Sequence, residues 1–314
     1  MTLVLSAATP GFVVQAADRL LTKAINNKPR PFDPVANKTV VYRATDALVS
    51  LSYSGVAYVK SQPTDEWLAE LLWGAPIGRG PDGNGPAAMG FGVRPNAWTI
   101  DRAIDALRRA IDGLPQTWIN LGGLFVSVAG WRNDRPVRPF VVDIKRAPGE
   151  TRSSVGGTPR RITRPKTFAL VQIGARVPKV TINAAFDPFR PSRTLTMENA
   201  EEALVGLIRG AARRHLTVGP HVLTVAIPAP GLGPAVGRFH PAKPHRVRVV
   251  SARKALTVAV AHTPWILASG QYHSPQVAVG NTELNLDGMP FVFEAPPGEG
   301  GLAALAFPIK RPNP

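Results

Sequence analysis

The pattern of apolar positions opens with short strand-like runs. Leu3 to Thr9 (LVLSAAT) and Phe12 to Asp18 (FVVQAAD) are apolar and partly β-branched, and Pro10-Gly11 between them is a turn signal, since proline presets φ and glycine tolerates a reversed backbone. The pair predicts a hairpin that returns Asp18 towards Thr2. Lys38 to Arg43 (KTVVYR) and Ala47 to Ser54 (ALVSLSYS) flank Ala44-Thr45-Asp46 and stop at Gly55, so the chain is expected to open with four consecutive strands.

The period then lengthens to that of a helix. In Pro63 to Gly74, Thr64 is placed to cap, Asp65 and Glu66 suit the first-turn dipole, Trp67, Leu68, Leu71 and Leu72 make one apolar face, and Gly74 ends the run. Residues 74–97 hold seven glycines and four prolines with little periodicity, which predicts a loop or lid; a phosphate loop is excluded because no G-K-[ST] follows. Thr99 is predicted to cap a second helix whose Ile100, Ala103, Ile104, Leu107, Ala110 and Ile111 form one stripe. Leu124 to Trp131 and Pro139 to Lys145 read as a strand pair around Asn133-Asp134. Thr167 to Ala175 reads as a strand, Met197 to His215 as a helix and His221 to Pro228 as a buried strand. Pro228 to Gly237 has the composition of a linker. Beyond it, RKALTVAVAH, TPWILA, PQVAVG, TELNLDG and PFVFEA predict a small β-rich C-terminal extension, which divides the chain into residues 1–230 and 231–314.

Composition changes this picture little. The 314 residues are 44% apolar, as in ordinary globular proteins, and the absence of cysteine excludes disulfides and thiolate chemistry. No run of 18 apolar residues occurs and no basic segment precedes the first apolar run, so a cytoplasmic protein without a membrane segment is expected. The charge is more informative: 37 Lys and Arg against 21 Asp and Glu give a net +16. Ten Lys and Arg against three acids lie between Arg132 and Lys166, and six between Arg238 and Lys254 with no acid. Aromatic residues are sparse in both stretches, which argues against nucleic acid and for solvated loops or a face for an acidic partner. His240, His245, His262 and His273 lack metal-ligand spacing.

The candidate chemistry begins at Thr2. Removal of Met1 would leave Thr2 with a free α-amino group beside its hydroxyl, uniting a nucleophile and a base in one residue. The amine's ordinary pKa of about 7.7–8.0 suits a base at neutral pH.

TLVLSAATPGFVVQAADR, then ANKTVVY, then SYSGVAY resembles the start of the proteasome β-subunit branch of N-terminal-nucleophile (Ntn) hydrolases, which includes the bacterial ring peptidases driven by ATP-dependent unfoldases. Thr2, Asp18, Lys38 and Gly55 match four positions of that pattern, and Arg19 follows Asp18 without the usual intervening residue. The resemblance implies that Thr2 attacks the carbonyl, that a cationic Lys38 keeps the amine neutral and favours the alkoxide, that Asp18 pairs with Lys38, and that the Gly55 N–H points at the oxyanion, a contribution of about 2.7–4 kcal/mol. It extends over roughly residues 2–228 and implies an α+β fold, a four-layer αββα sandwich carrying the C-terminal extension.

The activity implied is hydrolysis of a peptide or amide substrate by a threonine-type peptidase needing no cofactor or metal. The implied partners are further copies of the chain, with helical layers packed into a homo-oligomer, and an ATP-dependent unfoldase. A small-molecule amidase or acylase and a catalytically inactive structural member are the alternatives. The pattern departs at the positions that support the amine. Ala175 follows Gly174 where the family has serine, and His215 and Val218 stand where it has Asp and Ser. His215 is either an orienting substitute or a dipole partner at the end of its helix.

Overall fold

The computed structural model describes residues 2–25, 28–34, 36–78, 86–87, 89–91, 98–133, 137–157, 169–189, 195–242, 260–268, 271–275, 277–279 and 283–285. In chain order the elements begin with β1 (Leu3–Ala8), β2 (Phe12–Asp18), β3 (Leu21–Ile25), β4 (Lys28–Asp33), β5 (Thr39–Arg43), β6 (Ala47–Gly55), β7 (Tyr58–Val59), β8 (Gln62–Pro63), α1 (Thr64–Trp73) and β9 (Met89–Phe91). Next come α2 (Ile100–Asp112), α3 (Gln116–Asn120), β10 (Leu124–Arg132), β11 (Arg138–Arg146), β12 (Ser154–Gly157), β13 (Ala169–Gly174), α4 (Lys179–Phe186) and α5 (Met197–Ala212). The chain closes with β14 (Val222–Pro228), β15 (Val236–His240), β16 (Val260–His262), β17 (Trp265–Ala268), β18 (Gln271–His273), β19 (Val277–Val279) and β20 (Glu283–Asn285).

Two large sheets organise this α+β fold. One has the order β13-β1-β2-β14-β15-β20, the other β12-β11-β10-β6-β5-β17-β18-β9. All pairings are antiparallel except β17 beside β5. Every residue of β1 and β2 is buried, so these strands are covered on both faces. Leu3, Leu5, Val14 and Ala16 pack with Leu204 and Ile208 of α5. On the second sheet, Val40, Tyr42, Leu51 and Val126 pack with Leu68 and Leu72 of α1 and with Ile100, Leu107 and Ile111 of α2. The sheets meet through Val13, Val225 and Ile227 on one side and Val41, Trp131 and Ile266 on the other.

Between those apolar contacts runs a polar seam. Gln15 Nε2 donates to Ser6 Oγ (3.1 Å) and to the Ser127 carbonyl (3.2 Å), while Ser50 and Ser52 donate to Gln15 Oε1 at 2.7 and 2.8 Å. Buried hydroxyls are tolerated here because each finds a partner.

The hairpins predicted at Pro10-Gly11 and at Ala44-Thr45-Asp46 form in register. The four-strand opening is corrected, since the β3–β4 hairpin intervenes between them. Thr64 does not cap α1: Pro63 occupies that position, and the Thr64 hydroxyl donates to the Val56 carbonyl at 2.7 Å, tying the helix to the end of β6. Thr99 does cap α2, accepting from the Arg102 N–H. Unanticipated elements are α3, α4, β12 inside the basic stretch from Arg132 to Lys166, and β9 inside the glycine-rich segment. The stretch read as a linker leads directly into β15, and the C-terminal segment adds strands to both sheets. PFVFEA, His245, residues 158–168 and residues 243–259 lie outside the described residues. Among the described residues no helix is long and apolar enough to cross a membrane.

Candidate active site

The antiparallel register brings several strand ends to one end of the sheets. Leu3, next to Thr2, faces Gly174 at the end of β13; Asp18, at the end of β2, faces Val222; and Gly55, at the end of β6, faces Leu124. Lys38 immediately precedes β5. Thr2, Asp18 and Lys38 thereby converge although 36 residues separate the first from the last.

Lys38 Nζ donates to Thr2 Oγ1 at 2.6 Å and to the Leu20 carbonyl at 2.6 Å, and lies 3.5 Å from both Asp18 carboxylate oxygens. An ammonium has three N–H groups, and here they meet three acceptors: a hydroxyl, a carbonyl and a carboxylate. The Asp18 carboxylate is shared more widely than a simple ion pair. Its Oδ1 accepts from the Leu3 N–H at 2.8 Å, and its Oδ2 accepts from the N–H groups of Leu20 (3.2 Å) and Gly219 (2.9 Å). Exposure is 5% for Thr2, 0% for Asp18 and 1% for Lys38, so the whole set is withdrawn from water.

Burial lowers the Lys38 pKa from its ordinary value; the charge and hydrogen bond of Asp18 and the charge of Asp33 oppose that fall, and the Arg19 cation adds to it. Arg19 is itself buried. It donates from Nε to the Ala36 carbonyl at 3.1 Å and lies over the Phe239 ring. Desolvation pushes its pKa down to about 9 against the pull of Asp33 and Asp65. Next to Lys38, Asn37 donates to Asp65 Oδ2 at 3.0 Å, an oxygen that also accepts from Trp265 Nε1 at 3.0 Å. The C-terminal strand β17 thus reaches the neighbourhood of the site through one shared carboxylate.

Gly55 has φ of +109°, and a Cβ there would overlap the Gly123 carbonyl, which accepts from the Val56 N–H at 2.9 Å. The demand for glycine comes from this close approach of the turn before β10. Gly55 also follows Ser54, whose side chain touches Thr2.

The Thr2 main chain is held on two sides. Its carbonyl accepts from the Ala175 N–H at 2.8 Å and from Ser54 Oγ at 3.1 Å, and its nitrogen donates to Ser54 Oγ at 3.2 Å. Gly174, with φ of +84°, makes room for this, because a Cβ at 174 would overlap the Thr2 carbonyl.

At the positions where the sequence departs from the pattern, Ala175 and Val218 are buried in the apolar cluster beneath α5, and His215 is exposed just beyond that helix. The imidazole is at the surface, as a dipole partner would be, and the orienting alternative has no support. Sequence reasoning missed Ser54, the Leu20 carbonyl and Gly219. Ser54 carried one signal, its place directly before Gly55, and the other two contribute backbone groups that no side-chain pattern reveals. No cluster of His, Asp or Glu able to hold a metal occurs among the described residues.

No protein-family profile and no curated protein matches the chain. Among solved structures it is similar to Anbu (ancestral beta-subunit) from Yersinia bercovieri, with a TM-score of 0.45 and 12% identity over 72% of this chain and 82% of that one. It is also similar to Anbu from Hyphomicrobium sp. strain MC1, with a TM-score of 0.43 and 15% identity over 74% of this chain and 84% of that one. At this level of similarity neither structure carries residue roles over to this chain.

Proposed function

We propose that the chain is a threonine-nucleophile amide or peptide hydrolase activated by removal of Met1. The observation that carries this reading is the buried contact of Lys38 Nζ with Thr2 Oγ1 at 2.6 Å, with Asp18 behind the lysine. A hydroxyl at a strand end is not a nucleophile by itself. A buried cation donating to it lowers the cost of an alkoxide, in a setting where low dielectric strengthens the interaction.

In the proposed reaction Thr2 Oγ attacks the amide carbonyl, and its proton passes to the freed α-amino group. The tetrahedral oxyanion collapses, the C–N bond breaks, and the proton is delivered to the departing amine. Water then attacks the threonyl ester, with the α-amine again taking a proton, and the acid product leaves. Lys38 stays charged and directed by Asp18 and the Leu20 carbonyl. Gly55 N–H is assigned to the oxyanion.

The four-layer αββα order is supported by the separate helix-side clusters and the sheet-to-sheet cluster described above. On this reading residues 1–230 form the catalytic unit and 231–314 an extension attached to both sheets. A homo-oligomer served by an ATP-dependent unfoldase follows from the resemblance alone, and a cytoplasmic place from the apolar pattern. Light scattering at two salt concentrations tests the assembly, since +16 per subunit opposes it at low salt. The decisive experiment for the chemistry combines intact mass with an electrophilic threonine probe. The expected result is a chain beginning at Thr2 that is labelled there, with labelling abolished in Thr2→Ala and Lys38→Ala; retained Met1 or an unreactive Thr2 refutes the reading.

A further inference from the structure

We infer that Ser54 positions the Thr2 nitrogen as the base, supplying from β6 a hydroxyl that positions 175, 215 and 218 do not. The inference rests on the threonine-nucleophile reading above.

A serine hydroxyl has one proton to donate and two lone pairs to accept with. Ser54 Oγ lies 3.1 Å from the Thr2 carbonyl oxygen, which can only accept, so the Ser54 proton is committed there. Towards the Thr2 nitrogen, at 3.2 Å, Ser54 therefore acts as the acceptor. Once the nitrogen is an amine, one of its N–H groups remains engaged with Ser54, and its lone pair is left for the proton of the Thr2 hydroxyl. A base whose rotation about Cα is stopped in this way is pre-organised.

Ser54 itself is fixed. It is fully buried near the end of β6, paired with Phe125 of β10. A Cβ at Gly174 would come within 2.6 Å of its Oγ, so the glycine is what lets Ser54 and Thr2 approach. The alternatives fail on position, with Ala175 and Val218 apolar and buried and His215 exposed.

The test measures the rate of probe labelling at Thr2 across pH for the wild type, Ser54→Ala, Ser54→Cys and Ser54→Thr, with thermal unfolding of each. An acceptor on the ammonium form favours that form, so losing it should lower the amine pKa. For Ser54→Ala the expected result is an ionisation limb moved to lower pH, together with a plateau roughly 10- to 100-fold below wild type, since a reacting group misplaced by about 1 Å costs on the order of 10²-fold. Ser54→Cys, a poor acceptor, should move in the same direction even if the alanine variant is unstable. Ser54→Thr, which keeps the hydroxyl, should recover most of the rate. A purely structural role would lower the melting temperature without moving the limb, and that result overturns the inference. Wild-type limb and plateau in both Ser54→Ala and Ser54→Cys overturn it too, while leaving Thr2 as the nucleophile. A wild type never labelled at Thr2 refutes the nucleophile reading itself and this inference with it.

Discussion

Replacing Asp18 by Asn keeps the size of the side chain and removes its charge, and the hydrogen bonds around it fix the consequence. Each carboxylate oxygen accepts from backbone: Oδ1 from Leu3, Oδ2 from Leu20 and Gly219. An asparagine has one acceptor and one donor end, so one set of backbone N–H groups must face an NH₂. The cheaper orientation turns the amide nitrogen towards Leu3, leaving one buried N–H unsatisfied where the alternative leaves two. An unsatisfied buried donor costs about 1–3 kcal/mol. The fully buried Lys38 also loses its counter-charge, and breaking a buried pair costs about 3–5 kcal/mol. The two effects share one group and do not add, so a loss of about 3–5 kcal/mol is expected, concentrated next to Thr2.

Urea unfolding of Asp18→Asn against wild type measures this. The pH dependence offers a second check. Lys38 has a folded pKa below its ordinary 10.5, so between the two values the unfolded chain binds more protons and stability rises with pH. The Asp18→Asn substitution removes the charge that opposes this depression, so the rise should begin at lower pH and be larger. Stability within about 0.5 kcal/mol of wild type, with an unchanged pH profile, would refute the account of Asp18 as the hub of the site, since a surface substitution has an effect of that size.

Gly174→Ala places a Cβ against the Thr2 carbonyl at a φ of +84°, where the backbone conformation alone costs about 1–2 kcal/mol. The overlap adds to that, so a melting temperature lowered by several degrees should accompany loss of Thr2 labelling. Distant from the site, Glu201 bonds Thr224, His240 and Arg238. Burial pushes its carboxyl up, but the bonds from His240 and Thr224 and the charge of Arg238 outweigh it and hold the pKa below the ordinary 4.5. Its contribution to stability is therefore present above that value and lost as pH falls through the folded one. Urea midpoints taken down through the acid range should fall less steeply in Glu201→Gln, and parallel curves would contradict this.

The candidate residues were legible through the resemblance, and the strand pattern supports three of them. Thr2, Asp18 and Lys38 each sit at or beside the end of a strand that the apolar pattern delimits, and a hairpin at Pro10-Gly11 obliges Asp18 to return to Thr2. The β3–β4 hairpin was hidden because Pro29 and Pro31 interrupt the strand pattern of KPRPFD, although proline is accommodated in a strand that has one neighbour. Gly55 was legible as the end of a strand and, through the resemblance, as an N–H donor, but the group that requires glycine there, the Gly123 carbonyl, lies 68 residues away. Ser54 looked like an ordinary strand residue because its partner is the backbone of Thr2.

Local sequence by itself determined the type of the longer strands and helices, the apolar stripe of α2 and the ends at which chemistry could collect, whereas on α1 the buried face is Leu68, Ala69, Leu72 and Trp73, with the expected Trp67 and Leu71 only partly buried. The features so determined are properties of a residue and its near neighbours, set by side-chain period and turn geometry. Only the tertiary structure decided which strands pair beyond the local hairpins, and with that the two-sided burial of β1 and β2, the burial of Ser50, Ser52 and Gln15 as a hydrogen-bonded seam, and the insertion of β17 beside β5. A polar residue alternating along a strand reads as facing water. Whether it does depends on a second sheet whose position no local pattern encodes, because pairing is settled by the summed burial of both partners and by closing chain loops of a length that local preference does not sense.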